Sequence, residues 1–229
     1  MRIFFLKKCN APLAVYYIYF FTKLRNFFFK RNIKYEKRKH KDYLKNKHIS
    51  IDFFSPHAFN FLTILKKFKR QFNYLEIGSY EGNSALFVAN NFPNSHISCV
   101  DTWVKTDEYD KKINFNIIEK NFDDNTFKHK NILKSKNTSD NFFKKNNIKY
   151  DVIYIDGYHL GPQVYKDIKN SWSCLSKYGY LICDDYIWNI ETKNIESTPC
   201  YAINKFLKEI KNNYRVIYVS NSQIYIKKV

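Results

Sequence analysis

Hydrophobic and polar positions change period several times along the 229 residues, and each change marks an element. Ser55-Pro56 reads as an N-cap with a first-turn proline, opening a helix through about Lys69. NYLEIG is a short strand, and Ser84 to Asn91 carries a helical period. HISCVD (96–101) is a second strand, followed by a helical pattern from Tyr109 to Phe122. A weaker strand covers roughly Phe127–Leu133, with a short helix near Asp140–Lys145. YDVIYID (150–156) is the clearest buried strand, and Gln163–Leu175 is amphipathic. YGYLICDD (178–185) is another buried strand and Tyr201–Asn212 another helix. The chain ends in two alternating runs around Asn221-Ser222, the pattern of a β-hairpin.

Repeated β-α units predict an α/β fold, a Rossmann-like, mostly parallel seven-stranded sheet with helices on both faces. The terminal hairpin adds antiparallel strands. The compact pattern begins at Ile51, which divides the chain into an extension, residues 1–50, and a domain, residues 51–229. The longest apolar run of the extension, Ala11 to Phe21, is about half of a bilayer span. Lys7, Lys8 and Asn10 separate it from Ile3–Leu6, and no small-residue cleavage site follows, which argues against a signal peptide. Two readings stand side by side: a basic aromatic helix lying on an anionic membrane surface, or a solvated basic leader followed by helix.

Charge sharpens this division. The net charge is +18, but residues 1–50 hold 14 Lys/Arg against two acids, leaving only +6 for the other 179 residues. The abundance of Lys, Asn, Ile, Phe and Tyr is that of an AT-rich coding sequence, so composition carries little functional weight. Five cysteines without a C-x-x-C pattern suggest neither a disulfide framework nor a zinc site, which favours a reducing, cytoplasmic compartment.

Ligands of open α/β sheets bind beyond the carboxyl ends of the strands. Those ends are acidic here: Glu76-Ile77-Gly78, Asp101, Asp156-Gly157 and Asp184-Asp185. All five glycines (78, 82, 157, 161, 179) flank these strands. The first turn, YLEIGSYEGNS, is neither G-x-x-x-x-G-K-[ST] nor G-x-G-x-x-G, because Tyr80 occupies the middle position. A tight turn followed by an acid on the next strand suits a nucleoside with a cationic amino-acid tail. Glu76 would order the loop or the tail, and Asp101 would accept from ribose hydroxyls.

EIGSYEGNS resembles motif I of the class I S-adenosylmethionine-dependent methyltransferases, in the form found in metal-dependent O-methyltransferases of the catechol type. YDVIYIDGYH and GYLICDDY are similar to the segments of methyltransferase family 24, over about residues 72–229. The resemblance implies S-adenosylmethionine held by Glu76, Gly78, Ser79, Tyr80, Gly82, Ser84, Asp101, Thr102 and Trp103. It also implies a divalent cation, Mg²⁺ foremost, at Asp156, Asp184 and Asp185. Where many family members read D-G-D-H this chain reads D-G-Y-H, so Tyr158 replaces an acid. His159, with Asp156, is the catalytic candidate, as general base, as a group holding the substrate, or else as a residue that only stabilises the loop. His40, His48 and His129 lie in charged stretches and are expected to be solvated.

The expected activity is O-methylation of a hydroxyl on a small molecule or sugar. A nucleic-acid methyltransferase using the basic extension is the alternative, weakened because IDGYH replaces any N/D-P-P-Y/F motif. A non-catalytic, membrane-associated cofactor-binding protein is the third reading. Acceptor specificity is expected in segments such as Lys105–Lys120 and Ile187–Thr198, and the sequence leaves the oligomeric state open, a homodimer included.

Overall fold

The structure is a computed structural model that describes residues 2–106 and 113–229. Its helices and strands begin with α1 (Arg2–Lys8), α2 (Leu13–Phe28), α3 (Lys30–Leu44), α4 (Ala58–Leu65), β1 (Asn73–Ile77) and α5 (Asn83–Asn91). They continue with β2 (His96–Asp101), α6 (Phe115–Thr126), β3 (Ile132–Lys136), α7 (Ser139–Lys145) and β4 (Tyr150–Ile155). The last elements are α8 (Gly161–Cys174), β5 (Leu175–Cys183), α9 (Pro199–Glu209), β6 (Tyr214–Val219) and β7 (Ile224–Lys228). The strands form one seven-stranded sheet in the order β3-β2-β1-β4-β5-β7-β6, parallel except at β7, with helices on both faces. The α/β class and the terminal hairpin expected from the sequence are therefore both present.

Two compact units make up the chain, residues 26–138 and residues 1–25 with 139–229. In the first, β1, β2 and β3 pair in parallel, with Leu75 opposite Ser98 and Ile97 opposite Ile132. Tyr74, Leu75, Leu86, Phe87 and Phe122 are fully or almost fully buried there. The third strand lies at 132–136, later than the 127–133 window of the sequence, because ILKSK is an edge strand. Its lysines alternate outward: Lys134 pairs with Glu119 and Asp123, and Lys136 with Glu119. Lysine on an exposed edge discourages pairing with another chain. The helix expected from 55 to 69 stops at Leu65, where its apolar face (Phe61, Leu62, Leu65) runs out. A 3-10 turn, Ser55–His57, leads into it, with the Ser55 N–H donating to Asp52 Oδ1 at 2.8 Å, and no side chain caps the helix itself, Ser55 included. The helix expected from Tyr109 begins at Phe115, where the Asn114 side chain caps it by accepting from the Asn116 N–H; residues 107–112 lie outside the described residues.

His40 corrects an expectation. It is buried rather than solvated, 3% exposed on α3. Its Nε2 lies 2.7 Å from Asn83 Oδ1, and its ring meets Phe54 and Phe87 edge-on. Burial lowers its proton affinity. His129 is likewise engaged, with Nε2 3.1 Å from the Tyr43 hydroxyl.

In the second unit β4 and β5 are parallel, and β7 runs antiparallel between β5 and β6. The hairpin closes with the Ser220 N–H donating to Gln223 O at 2.7 Å. Gly161 lies so close to the backbone near Glu196 that a Cβ would sit 2.5 Å from its carbonyl oxygen. The N-terminal helices belong here as far as Arg25: Phe5, Leu6, Cys9, Val15 and Tyr19 are buried. Asn204 Nδ2 donates to Cys9 O at 3.2 Å, Tyr19 Oη to Asn221 Oδ1 at 2.9 Å, and Val219 N to Thr22 Oγ1 at 3.2 Å. All five cysteines are free and buried, and no helix among the described residues is long and apolar enough to cross a membrane.

Candidate active site

The turn between β1 and α5 is built from three left-handed residues: Gly78 (φ 86°), Tyr80 (φ 49°) and Gly82 (φ 83°). Only glycine adopts that region without a side-chain clash, so Tyr80 is held there by its surroundings. Asp101, at the end of β2, does the holding. Its Oδ2 accepts from the Ser79 and Tyr80 N–H groups at 2.9 Å each, and its Oδ1 from the Trp103 N–H at 2.8 Å. The Trp103 indole N–H then donates to Tyr80 O at 2.8 Å. Trp103 (φ 46°) is buried against Phe122, with ring centroids 4.8 Å apart, so it locks the turn from inside. Thr102 Oγ1 accepts from the Val104 N–H at 3.2 Å.

Glu76 is wholly buried on β1, with Tyr74 Oη donating to Oε2 at 3.0 Å. Burial pushes its carboxyl up to about 7. Ser79 and Ser84 are also buried with their hydroxyls beside the Glu76 carboxyl, yet neither Glu76 Oε1 nor Ser79 Oγ makes a hydrogen bond of good geometry. Two orphaned polar atoms beside a glycine turn fit a ligand carrying both a cation and hydroxyls. All nine sequence-predicted cofactor residues thus lie in one unit, around one turn.

Sequence reasoning missed Glu81, which stabilises that turn from behind. Its Oε2 accepts from Ser50 N at 2.6 Å and Ser50 Oγ at 3.0 Å, and its Oε1 from Asn121 Nδ2 at 2.8 Å. Asn125 Nδ2 reaches Glu81 O at 3.0 Å. The available signal was an acid between two motif glycines, and the structure buries it at 1% exposure.

At the ends of β4 and β5, three potential donor atoms of Asp156, His159 and Asp185 lie within 4.8 Å of one another. His159 Nε2 is 2.8 Å from Asp185 Oδ2 and 3.9 Å from Asp156 Oδ1. Asp185 is itself left-handed (φ 50°), which turns its side chain away from the path of its neighbour Asp184. Asp184 faces other partners. Its Oδ1 accepts from Asp185 N at 2.8 Å and its Oδ2 from Gln223 Nε2 at 2.8 Å, and Oδ2 also meets the Tyr154 hydroxyl. Of the three aspartates expected as metal ligands, two converge with His159, and Asp184 backs them.

Tyr154 Oη also lies 2.9 Å from Asp156 Oδ2. A phenol has one hydrogen, so two carboxylates around it are best satisfied when one carries a proton. Asp156 is the one pushed that way, by burial first and then by the charge of Asp184. Neither Tyr154 nor Gln223 was singled out in the sequence. The signal was position, since Tyr154 precedes Asp156 by two and shares its face of the strand. Trp188, in the segment expected to set acceptor specificity, packs over His159 with centroids 5.5 Å apart.

Two carboxylates and an imidazole fit a divalent cation, whose charge would relieve the repulsion that raises Asp156. The same atoms can move a proton, since Asp185 would stabilise a protonated His159.

Residues 75–186 match a family model described as a methyltransferase domain. The chain carries a methyltransferase domain. Its fold is that of the class I S-adenosylmethionine-dependent methyltransferases. A protein provisionally described as a caffeoyl-CoA O-methyltransferase from Staphylococcus aureus superposes with a TM-score of 0.58 at 15% identity, over 91% of this chain and 99% of that one. The O-methyltransferase TomG of Streptomyces achromogenes, solved with S-adenosylmethionine, gives 0.55 at 10% identity, over 86% and 88%. MycE, from the mycinamycin biosynthetic pathway and solved with Mg and S-adenosylhomocysteine, gives 0.56 at 14% identity, over 78% of this methyltransferase but only 51% of MycE. A search of curated proteins gave no match.

Proposed function

We propose that this methyltransferase moves the methyl group of S-adenosylmethionine to a hydroxyl of a small molecule or sugar, with a divalent cation at Asp156, His159 and Asp185. The observation that carries the reading is the convergence of those three donor groups within 4.8 Å. MycE, with Mg and S-adenosylhomocysteine bound, and TomG, an O-methyltransferase with S-adenosylmethionine bound, support it as structural relatives.

The roles divide by chemistry. The β1–α5 turn holds the cofactor: Glu76 Oε1 and Ser79 Oγ supply unpaired acceptors and a donor, while Asp101 fixes the turn and offers its one remaining lone pair to a ribose hydroxyl. A divalent cation, when bound, makes an acceptor hydroxyl more acidic and fixes its oxygen. Asp184, anchored by Gln223 and Tyr154, orients Asp185 and Asp156 rather than competing with them. The acceptor hydroxyl gives its proton to solvent, and its oxygen attacks the methyl carbon in line. The carbon–sulfur electrons return to sulfur, leaving S-adenosylhomocysteine. Trp188 stacks on His159 and restricts which acceptors approach.

Titration calorimetry with S-adenosylhomocysteine, with Mg²⁺ and with EDTA, tests cofactor and cation separately. A screen of sugar and phenolic hydroxyl acceptors then tests the reaction. Cofactor binding without any cation dependence of binding or turnover leaves the enzyme reading intact but removes the cation. His159 is then the base, paired with Asp185.

A further inference from the structure

Helix α2 is turned inside out. At 100° per residue, Leu13, Tyr17, Phe20, Leu24, Phe27 and Phe28 fall within an arc of about 100°. All six are exposed, from 46% at Leu24 to 76% at Leu13. The opposite side of the same helix carries its buried residues, Val15, Tyr19 and Thr22, two of which are polar-tipped and hydrogen-bond to the hairpin at Asn221 and Val219. A surface helix of a globular protein normally arranges these faces the other way round. Exposed large apolar patches of this kind mark interaction sites.

Charge selects the occupant. Lys23 flanks the stripe on one side, Arg25 on the other packs half-buried over the Tyr218 ring at 5.5 Å, and Lys30 and Arg31 follow its end. Residues 1–35 contain eight Lys/Arg and no acid. The short α1 repeats the chemistry, with Ile3 and Phe4 exposed and Lys8 Nζ 4.8 Å from the Phe4 ring. A second copy laid on the stripe would bring two acid-free, cationic borders together. RNA would satisfy the cations but leave the leucines and phenylalanines without an apolar environment. Lipid phosphates and acyl chains satisfy both. A span is excluded by size: sixteen residues make about 24 Å of helix against a hydrocarbon core of about 30 Å.

We propose that α2 lies in the plane of an anionic bilayer surface, its Leu13–Phe28 stripe buried at the acyl boundary and its lysines and arginines on the headgroups. The methyl-transfer reading is independent of this one.

The test uses the full chain and vesicles of phosphatidylcholine with or without phosphatidylglycerol. Sedimentation should show binding to anionic vesicles that is at least about tenfold tighter than to neutral ones and that weakens as salt is raised. The triple variant F20S/L24S/F27S should lose at least about tenfold in that affinity while keeping the wild-type melting point and S-adenosylhomocysteine binding. Phe20→Trp should show a blue-shifted emission only with anionic vesicles. Unchanged vesicle binding by the triple variant, or no emission shift at position 20, overturns the proposal. So does lipid-free dimerisation that the triple variant abolishes, or RNA binding that survives where vesicle binding does not.

Discussion

Tyr154 Oη lies 2.9 Å from Asp156 Oδ2, two residues along one face of β4. The same phenol reaches Asp184, so a single hydroxyl ties the ends of two neighbouring strands together. Tyr154→Phe should leave the sheet intact, because the ring stays, but free both carboxylates to turn. Groups that orient a metal's ligands typically matter about 10–100-fold in metal affinity or activity. Calorimetry with Mg²⁺ alone should show a loss of that size with little change in S-adenosylhomocysteine affinity. An equal loss of both affinities would mean that the hydroxyl supports the fold and not the acids.

Asp101 accepts three backbone N–H groups, so it fixes the turn through its charge and both oxygens. Asp101→Asn replaces one acceptor by an NH₂ that must face at least one of those donors. Charge-assisted bonds of this type contribute about 1.5–3 kcal/mol each. The variant should lose at least about tenfold in S-adenosylhomocysteine affinity, read by calorimetry, and Asp101→Glu should not restore it.

Gly82 has φ 83°, and a Cβ there would stand 3.1 Å from Phe122 Cδ2. Gly82→Ala should therefore destabilise the domain by about 1–2 kcal/mol from the backbone alone. Urea unfolding measures it. A midpoint equal to wild type would show that the turn relaxes to a negative φ.

Much of this architecture was legible because the strands 73–77, 96–101 and 150–155 are short, apolar and end in glycine or acid. Their acids could be placed by topology before any contact was known. The third strand was misplaced because ILKSK is an edge, where alternating lysines dilute the apolar signal. His40 was misread as solvated, and Glu81 and Gln223 were overlooked, for a common reason. Each is a polar residue whose role is a tertiary partner: Asn83 for His40, Ser50 and Asn121 for Glu81, Asp184 for Gln223. Nothing in periodicity reports a partner 30 or more positions away. Asp184 was read with its neighbour as one of a pair of ligands, yet a left-handed Asp185 separates their directions.

Asp167 offers a pH test away from the candidate site. It is buried on α8, accepts from Gln163 Nε2 at 3.0 Å, and burial pushes its carboxyl from 3.8 up to about 6. The native state therefore keeps a proton that the unfolded chain releases between about pH 4 and 6, so this group's contribution to stability falls as pH rises through that window. Above it the cost is on the order of 2 to 3 kcal/mol. Asp167→Asn, which cannot ionise, should flatten that part of the stability profile and be more stable than wild type near pH 7.5. Parallel slopes for the two proteins from pH 4 to 6 would refute it.

The outward stripe of α2 has one more consequence. Its phenylalanines and leucines keep 46–76% of their surface in water in the native chain, so they add far less than core residues to the difference that sets folding stability. Selection for a stable fold sees them only faintly. Solubility and encounter with a surface see them best, which makes this helix the part of the chain where thermal melts say least and the company the protein keeps is written.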